Sequence, residues 1–408
     1  MLALGLLACR GPGPTVDGGR DTAADLAPPR GKVVALVYSS NVNGEIERCA
    51  CAVSPLGGLA RRAAEVERIR GEVDGIVSVD AGDLFLPWAE APKGAKKVVE
   101  REVERRARLI AEAYGRMGTT AVTPGEADLE LGPVMLARVL GEAKVPVVSA
   151  NLTDLKGEAV FETERVVDVA GVKVGIFGVT AADEAKARAA GWSVREPKEA
   201  ARAAIGTARA HGAKIVVALL HVGTVAESRA FLREVPGVDW AVLGHSGRNL
   251  ELPEPAGGAR MVEAMSGGKN LGRVDLHVVA GDGRGPFAER AARAQLEDIL
   301  ADHRHQVAEY ERLLPLPDKP EPVEFYEKRL ADLRRAIERE TAQLAAMPPR
   351  VSGNWFESRV IPMDTALPDD PEMAALVETY KRESARLKAA GKLVGIDPRS
   401  PRRSSPKR

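Results

Sequence analysis

Apolar residues occur along the first two thirds of the chain as short continuous runs, which amphipathic stretches separate. Continuous runs of Val, Ile, Leu and Ala are typical of strands that are buried on both faces. We therefore predict strands at 32–38, 75–81, 119–124, 145–151, 165–180, 214–221, 239–245, 260–265 and 272–279. Helices are predicted between several of them, at GLARRAAEVERIR, EREVERRARLIAEAYGRMG, PVMLARVLGEA and PKEAARAAIGTARAHG. This alternation predicts an α/β domain whose helices cover the sheet.

From about residue 285 the pattern changes to charged segments with apolar residues at heptad-like spacing. Residues 287–314 and 321–347 predict an antiparallel helical hairpin. A strand-like piece, SRVIPMD, and a helix from Asp370 to about Ala389 follow, and we expect both to pack back on the main domain. We divide the chain into 1–31, a signal remnant and linker; 32–284, the main domain; 285–350, the helical hairpin; 351–392, the strand and helix; and 393–408, a basic tail of disordered composition.

Composition excludes few functions but limits the classes of protein to which the chain could belong. The 408 residues carry 58 acidic and 58 basic side chains, and this balance argues against a general role in nucleic-acid binding. Apolar residues make up 45% of the chain, which is enough for a sizeable core. No run of about 20 apolar residues occurs, so we predict no membrane-spanning helix.

The first residues, MLALGLLAC, look like the end of a bacterial lipoprotein signal with Cys9 as the lipidated residue. The polar linker that follows, rich in Pro and Gly, suits an anchored protein. The alternative is an apolar N-terminus without function. On the first interpretation we expect a periplasmic or cell-envelope protein that contacts the membrane only through a lipid anchor.

Two of the three cysteines, Cys49 and Cys51, lie in the loop after the first predicted strand. Export would place both thiols in an oxidising compartment. A bridge between residues two apart closes a strained ring, so we do not expect a stable structural disulfide between them. Metal binding or redox chemistry fits this spacing better.

Polar side chains follow several of the predicted strands at their carboxyl ends, where α/β sheets bind ligands. They are Asn41 and Asn43, Asp80 and Asp83 in DAGD, Glu126 and Asp128 in GEAD, His221 in LLHVG and His245 in LGHSG. A single histidine at a strand end is more often a core residue than a ligand. Two of them, with acidic residues at matching positions, predict a converging site for Zn²⁺, Mn²⁺ or Fe.

The order of these motifs resembles a known family. The chain carries NVNG, GGLARRA, DAGD, GEAD, LLHVG and GHSG in succession. This succession resembles the calcineurin-like metallophosphoesterases, specifically the N-terminal catalytic domain of the bacterial 5′-nucleotidase family. The motifs of that family are, in order, D-x-H-G, a glycine pair opening a helix, D-x-G-D, G-N-H-[DE], a lone His and G-H-x-H. The resemblance covers about residues 32–280. It implies a metallo-dependent phosphatase-like β-sandwich flanked by helices, here with a C-terminal helical hairpin extension.

The resemblance also implies a metal site, with one or two divalent transition-metal ions. Asp83 takes the place of the bridging aspartate, and Glu126, His221 and His245 take the places of the other ligands of one ion. The second ion loses its usual partners, because Asn41, Asn43 and Gly247 stand where the family has Asp and His. The histidine thought to assist the leaving group is replaced by Ala127. We expect Asp80 to accept hydrogen bonds beneath the site.

The Cys-x-Cys loop suggests a replacement for the lost ligands. We hypothesise that Cys49 and Cys51 lie beside Asn41 and Asn43 and supply thiolates to a metal or form a reactive thiol pair, with Arg48 favouring the thiolate. Such a set selects Zn, Fe or Cu rather than Mg. The alternative is two small buried loop residues without chemistry.

The remaining candidates concern the substrate. The pair Gly57 and Gly58 precedes a predicted helix, where free N–H groups can bind a phosphate. Arg248 follows His245 closely and could reach a phosphate, so we take Arg248 and Asn43 as catalytic candidates.

Three functions remain open at this stage. The first is a metal-dependent phosphoric-ester hydrolase that acts on a small-molecule phosphate ester. The second is a non-hydrolytic thiol or metal protein with redox chemistry that keeps the phosphatase fold. The third is a scaffolding lipoprotein whose helical hairpin binds another protein.

Overall fold

The computed structural model describes residues 31–49, 55–85, 96–279, 281, 283–316, 321–347 and 353–392. The strands are β1 (Lys32–Ser39), β2 (Gly75–Asp80), β3 (Ala121–Val122), β4 (Leu152–Asp154), β5 (Glu164–Val169), β6 (Val172–Thr180), β7 (Trp192–Val194), β8 (Ile215–His221), β9 (Trp240–Leu243), β10 (Glu254–Ala256), β11 (Ala259–Val262), β12 (Asn270–Val278), β13 (Ala288–Glu289) and β14 (Trp355–Pro362). The helices are α1 (Leu59–Arg70), α2 (Lys96–Arg116), α3 (Gly132–Glu142), α4 (Glu184–Ala189), α5 (Pro197–Ala210), α6 (Val225–Glu234), α7 (Ala292–Leu313), α8 (Val323–Ala346) and α9 (Pro371–Ala389), with a 3₁₀ turn at Asp128–Leu131.

Most strands belong to two six-stranded sheets. The first has the order β13-β14-β12-β1-β2-β3, and the second has the order β10-β11-β9-β8-β6-β5. Strands β1, β2 and β3 are parallel, and so are β6, β8, β9 and β11. Parallel strands end at the same edge of a sheet. In each sheet, the loops that follow these strands therefore begin side by side.

The two sheets pack face to face and helices cover their outer faces. The inner faces share one apolar cluster, to which both sheets contribute large residues such as Leu36, Val77, Ile176, Val217 and Trp240. A second cluster joins the first sheet to α1, α2, α3 and α9, and a third joins the second sheet to α5 and α6. This arrangement confirms the predicted α/β sandwich flanked by helices.

The predicted strand at 165–180 is wrong as a single element. It is a hairpin of the antiparallel strands β5 and β6, joined at Ala170 and Gly171. Both turn residues have positive φ, 54° and 81°, which is the conformation that two-residue hairpins need. The apolar run continues through the turn, so hydrophobicity alone concealed it.

The predicted strand at 145–151 is also wrong, and that at 119–124 shrinks to β3. Val147 and Val148 form only isolated bridges, and regular pairing begins at Leu152. The side chain of Asn151 makes the hydrogen bonds that a neighbouring strand would make. Its Nδ2 donates to the carbonyl of Thr180 at 2.8 Å, and its Oδ1 accepts the N–H of Thr180 at 3.0 Å. Side-chain hydrogen bonds therefore replace a strand ladder here.

The C-terminal part contains the helices α7 and α8, which contact each other along their length. His303 pairs with Glu340 across them at 2.9 Å. Strand β14 enters the first sheet beside β12, while α9 contacts α1 and α2. The domain boundaries and a protein-binding role of the hairpin stay predictions. Residues 1–30 with Cys9, residue Cys51 and the tail 393–408 lie outside the described residues.

Among the described residues, no helix combines the length and apolar character that a membrane span requires.

Candidate metal centre

The loops after four parallel strands meet between the two sheets. Backbone hydrogen bonds of 2.8 Å join Asn41 N–H to the carbonyl of Gly82 and Asn43 N–H to that of Asp83, which ties the loops after β1 and β2 together. The side-chain Oδ1 of Asn41 accepts the backbone N–H of His245 at 2.8 Å, which connects the first sheet to the second. The predicted site residues of these loops therefore lie close together.

His221 and Asp83 form the buried pair of the site. His221 is fully buried, and its Nδ1 lies 2.8 Å from the carbonyl of Ala81. This contact favours a proton on Nδ1, which leaves the lone pair on Nε2. That Nε2 lies 3.6 Å from Asp83 Oδ1 and has no hydrogen-bond partner among the described residues. An imidazole held in this way has the lone pair of its Nε2 available to a metal ion.

His245 and Glu126 form a second, more exposed pair. His245 Nδ1 lies 3.6 Å from Glu126 Oε2, and the rings of His245 and His221 meet edge to face at 5.4 Å between centroids. The backbone of His245 has φ 71°, an uncommon conformation for a residue with a side chain. Strain of this kind occurs at functional sites, where the surrounding structure enforces it.

Glycines allow the loops to approach so closely. A Cβ on Gly125 would lie 2.2 Å from Asp83 Oδ1, and a Cβ on Gly244 would lie 2.5 Å from His221 Nδ1. Neither position has room for a side chain. The glycines of the GEAD and LGHSG motifs are therefore part of the geometry of the site.

The side chains fit a divalent cation in type, although they do not form a closed ligand set. Two imidazoles and two carboxylates are suitable donors for Zn²⁺, Mn²⁺ or Fe. The unpartnered, fully buried Nε2 of His221 lacks the contact that a ligand atom normally makes. Within the described ranges, however, no group of three or more His, Cys, Asp or Glu side chains stands in position to hold a metal ion. The four side chains meet as two pairs.

Asp128 organises the loops around these pairs, a role that sequence analysis missed. Its fully buried carboxylate accepts three backbone N–H groups, from Leu84 at 3.2 Å, Phe85 at 2.9 Å and Gly125 at 2.8 Å. Burial, and then the charge of Asp83, raise the pKa of Asp128 to about 8. The only sequence signal was its place at a strand end, which it shares with many residues.

A buried cluster around Asp80 lies beneath the site, as expected. Asp80 accepts hydrogen bonds from Ser39 at 2.5 Å and from Tyr114 at 2.7 Å, and Arg62 donates to Tyr114 at 2.5 Å. The other carboxylate oxygen of Asp80 accepts the N–H of Gly82 at 3.0 Å. Burial raises the pKa of Asp80 above its ordinary value. The cluster fixes the turn that carries the DAGD motif.

Glu263 is a second buried acid that sequence analysis missed. It is fully buried beyond the end of β11, and it accepts a hydrogen bond from Ser246 Oγ at 2.5 Å. Its Oε1 has no hydrogen-bond partner in the described part of the chain. Burial raises the pKa of Glu263 to about 7. Glu263 thus supports the loop that begins at His245.

The structure does not support Cys49 as a thiolate ligand, and the alternative of a reactive thiol pair stays a prediction. Cys49 is disulfide-bonded, and a disulfide sulfur carries no thiolate charge for a metal. Its Sγ accepts the N–H of Leu56 at 3.3 Å, which holds the loop before α1. Cys51 lies outside the described residues.

The predicted phosphate-binding role of Gly57 and Gly58 stays a prediction, although the structure leaves no free N–H on Gly57. Its N–H donates to the carbonyl of Met363 at 2.9 Å and is therefore occupied. Gly58 precedes α1 with φ 104°, so the glycine pair serves the entry into the helix. The N–H of Leu59, the first residue of α1, is occupied as well, by the carbonyl of Ile46 at 3.1 Å.

The remaining predicted residues lie around the two pairs. Asn41 uses its side-chain oxygen to hold His245, which makes it a positioning residue in this structure. Asn43 Nδ2 donates to the carbonyl of Asn41 at 2.8 Å. Arg248 is exposed, and its N–H donates to Ser246 Oγ at 3.3 Å.

The chain has relatives of known name, although no protein-family model matches it. It is 30% identical over 215 residues to a 2′,3′-cyclic-nucleotide 2′-phosphodiesterase/3′-nucleotidase of Salmonella typhimurium, over 46% of this chain and 32% of the relative. The chain spans less than half the length of the curated relatives it matches.

Solved structures show the same fold. A 5′-nucleotidase precursor of Thermus thermophilus superposes with a TM-score of 0.58 at 19% identity, over 87% of this chain and 60% of that chain. The calcineurin-like phosphoesterase YfkN of Bacillus subtilis superposes with a TM-score of 0.51 at 20% identity, over 62% of this chain and 87% of that chain. The sequence relatives and the shared fold confirm the resemblance that the motifs indicated: the chain is similar in sequence to nucleotidases, and it shares the fold of a 5′-nucleotidase precursor and of the calcineurin-like phosphoesterase YfkN.

Proposed function

We propose that the chain is a metal-dependent phosphoric-ester hydrolase. The observation that carries this proposal is the buried Nε2 of His221, which faces Asp83 Oδ1 at 3.6 Å without a hydrogen-bond partner among the described residues. A bound divalent cation supplies Lewis acidity, which makes phosphorus more open to attack by water. The relatives support this reaction class, since the Salmonella protein carries the name of a phosphodiesterase and nucleotidase.

The residues of this chain have separate tasks in the proposal. His221 and Asp83 would hold the cation on the buried side, and His245 and Glu126 would hold it on the exposed side. The carbonyl of Ala81 keeps His221 in the tautomer that binds metal. One or two ions of Zn²⁺, Mn²⁺ or Fe suit these donors. Because Cys49 is disulfide-bonded, we leave its thiolate out of the proposed set.

We assign substrate binding to residues at the exposed rim of the site. Arg248 is an exposed guanidinium three residues beyond His245, and we propose that it neutralises the phosphate. Asn43 lies beside Asn41 and would orient the substrate through its amide. A small phosphate ester is the proposed substrate class, and the names of the relatives make nucleotides the first class to test.

We also propose that the protein is exported and lipid-anchored through Cys9. The disulfide at Cys49 supports export, because disulfides persist in oxidising compartments and are rare in reducing ones.

Hydrolysis of an aryl phosphate with added Mn²⁺ tests the proposed function. His221→Ala should lower the rate by more than about 100-fold, since even outer-shell partners of a metal ligand cost about 10–100-fold. Metal content, measured on the same samples, should fall in parallel.

His211→Ala is the matched control, because His211 is exposed and follows α5 away from the site. It should keep both rate and metal content. Equal activity of the wild type and His221→Ala would refute the proposed site, and wild-type protein without metal-stimulated hydrolysis would refute the proposed reaction.

A further inference from the structure

A large cavity lies elsewhere in the second sheet. Its volume is about 430 Å³, within the range of about 300–1,000 Å³ that small-molecule sites occupy. It is bounded by the last turn of α6, the beginnings of β9 and β11, the turn between β10 and β11, and the segment before β13. We name it the Arg233 pocket, after the arginine on its wall.

The Arg233 pocket is separate from the candidate metal centre. Arg260 and Trp240 pair at the amino ends of the parallel strands β11 and β9, and both line the pocket. His245 follows the carboxyl end of β9. The four residues of β9 span roughly 13 Å at about 3.3 Å per residue, so the two places lie at opposite edges of the sheet.

The charges around the pocket leave a positive excess. The carboxylate of Asp239 is satisfied, since it pairs with Arg209 at 2.7 Å and accepts the N–H of Val216 at 2.7 Å. Arg260 reaches Glu289 only at 3.5 Å. Arg233 is exposed and forms no ion pair with any described residue. Glu289 therefore partly neutralises Arg260, and the uncompensated positive charge at the pocket is that of Arg233.

The rest of the wall is mixed, with apolar surface beside polar surface. Pro255, Pro286 and Phe287 contribute apolar surface, and the glycine turn between β10 and β11 forms part of the rim. A Cβ on Gly257 would lie 2.2 Å from the carbonyl of Leu232, so this turn is held tightly against α6. Apolar surface beside an uncompensated guanidinium can accommodate a small organic anion.

We propose that the Arg233 pocket binds a small organic anion. The guanidinium groups of Arg233 and Arg260 hold its carboxylate or phosphate group, because arginine binds both through paired N–H donors. The apolar part of the ligand contacts Phe287 and the prolines. This site is independent of the proposed hydrolase activity.

Calorimetric titration of the full chain with two probes, benzoate and phenylphosphonate, tests the proposal. Neither probe is an ester, so neither is consumed at the candidate metal centre. At least one should bind with one-to-one stoichiometry, and affinity should fall as salt is added. Benzyl alcohol, the neutral counterpart, should bind more weakly than either anion. The better of the two anions distinguishes a carboxylate site from a phosphate site.

Arg233→Ala should weaken binding of the better anion by about tenfold, as expected for the loss of one charge-assisted hydrogen bond. Arg386→Ala is the matched control, because Arg386 is also an exposed arginine in the last turn of a helix. It should bind like the wild type, and so should His221→Ala. The proposal is overturned if neither anion binds at millimolar concentration, if Arg233→Ala binds as tightly as the wild type, or if His221→Ala abolishes binding.

Discussion

Glu263→Gln should reduce the dependence of stability on pH. Burial raises the pKa of Glu263 from its ordinary value of 4.5 to about 7. The folded protein thus retains a proton that the unfolded chain loses, and the stability from this group is present below about pH 4.5 and lost as pH rises through about 7. Each unit of pKa corresponds to about 1.4 kcal/mol, so the loss is on the order of 3 kcal/mol.

Glutamine keeps the shape of the protonated acid and cannot ionise. The variant should therefore not lose this stability as the pH rises. The difference in unfolding free energy, variant minus wild type, should increase by on the order of 3 kcal/mol between about pH 4 and about pH 8. Urea unfolding of metal-free protein at a series of pH values measures the difference. The hydrogen bond from Ser246 can still form with the amide oxygen, so the comparison isolates the charge.

Glu251→Gln is the control for this experiment, because Glu251 is an exposed carboxylate in the loop between β9 and β10. Its substitution removes a carboxylate without altering the buried contacts of Ser246. If the unfolding free energies of Glu263→Gln and wild type run parallel across the pH range, the buried carboxylate does not hold the proton and the reasoning fails.

Two further pairs of substitutions test packing. Gly125→Ala should abolish aryl phosphate hydrolysis and lower the melting temperature, since the added Cβ would lie 2.2 Å from Asp83 Oδ1; Gly206→Ala, in an open helical position, should instead stabilise by about 0.5–1 kcal/mol. Phe356→Ala should cost about 3–5 kcal/mol of unfolding free energy, because this ring is fully buried between the sheets. Phe325→Ala, at a ring that is 41% exposed, should cost much less, and equal losses would contradict the assigned core.

The sandwich could be predicted because its strands are buried on both faces. Runs such as KVVALVY and KIVVALLH have no polar alternation, which only a strand covered by a sheet on one side and helices on the other can tolerate. The predicted β8 differs from the observed strand by a single residue. Where side chains replace the ladder, as at Asn151, the same hydrophobic signal placed a strand where none exists.

The candidate site was only partly predictable, for a related reason. His221 and His245 were found because they end apolar strands beside glycines, a local signal. The acids Asp128 and Glu263 act through contacts with residues that are distant in sequence, in the case of Asp128 with the N–H groups of Leu84 and Phe85. No spacing rule reports such a contact before the chain is folded.

Asn41 shows that a motif can predict where a residue lies without predicting what its side chain does. The motif resemblance assigns an acidic ligand to this position, and the motif order placed the loop of Asn41 beside His245, where the structure has it. Its side-chain oxygen, however, accepts the N–H of His245 at 2.8 Å and so is already committed to joining the two sheets. An amide can make this bond at any pH because it carries no charge that requires a cation nearby. The order of motifs therefore predicts which loops meet, while the hydrogen bonds of each atom decide whether a residue binds a ligand or holds one in place.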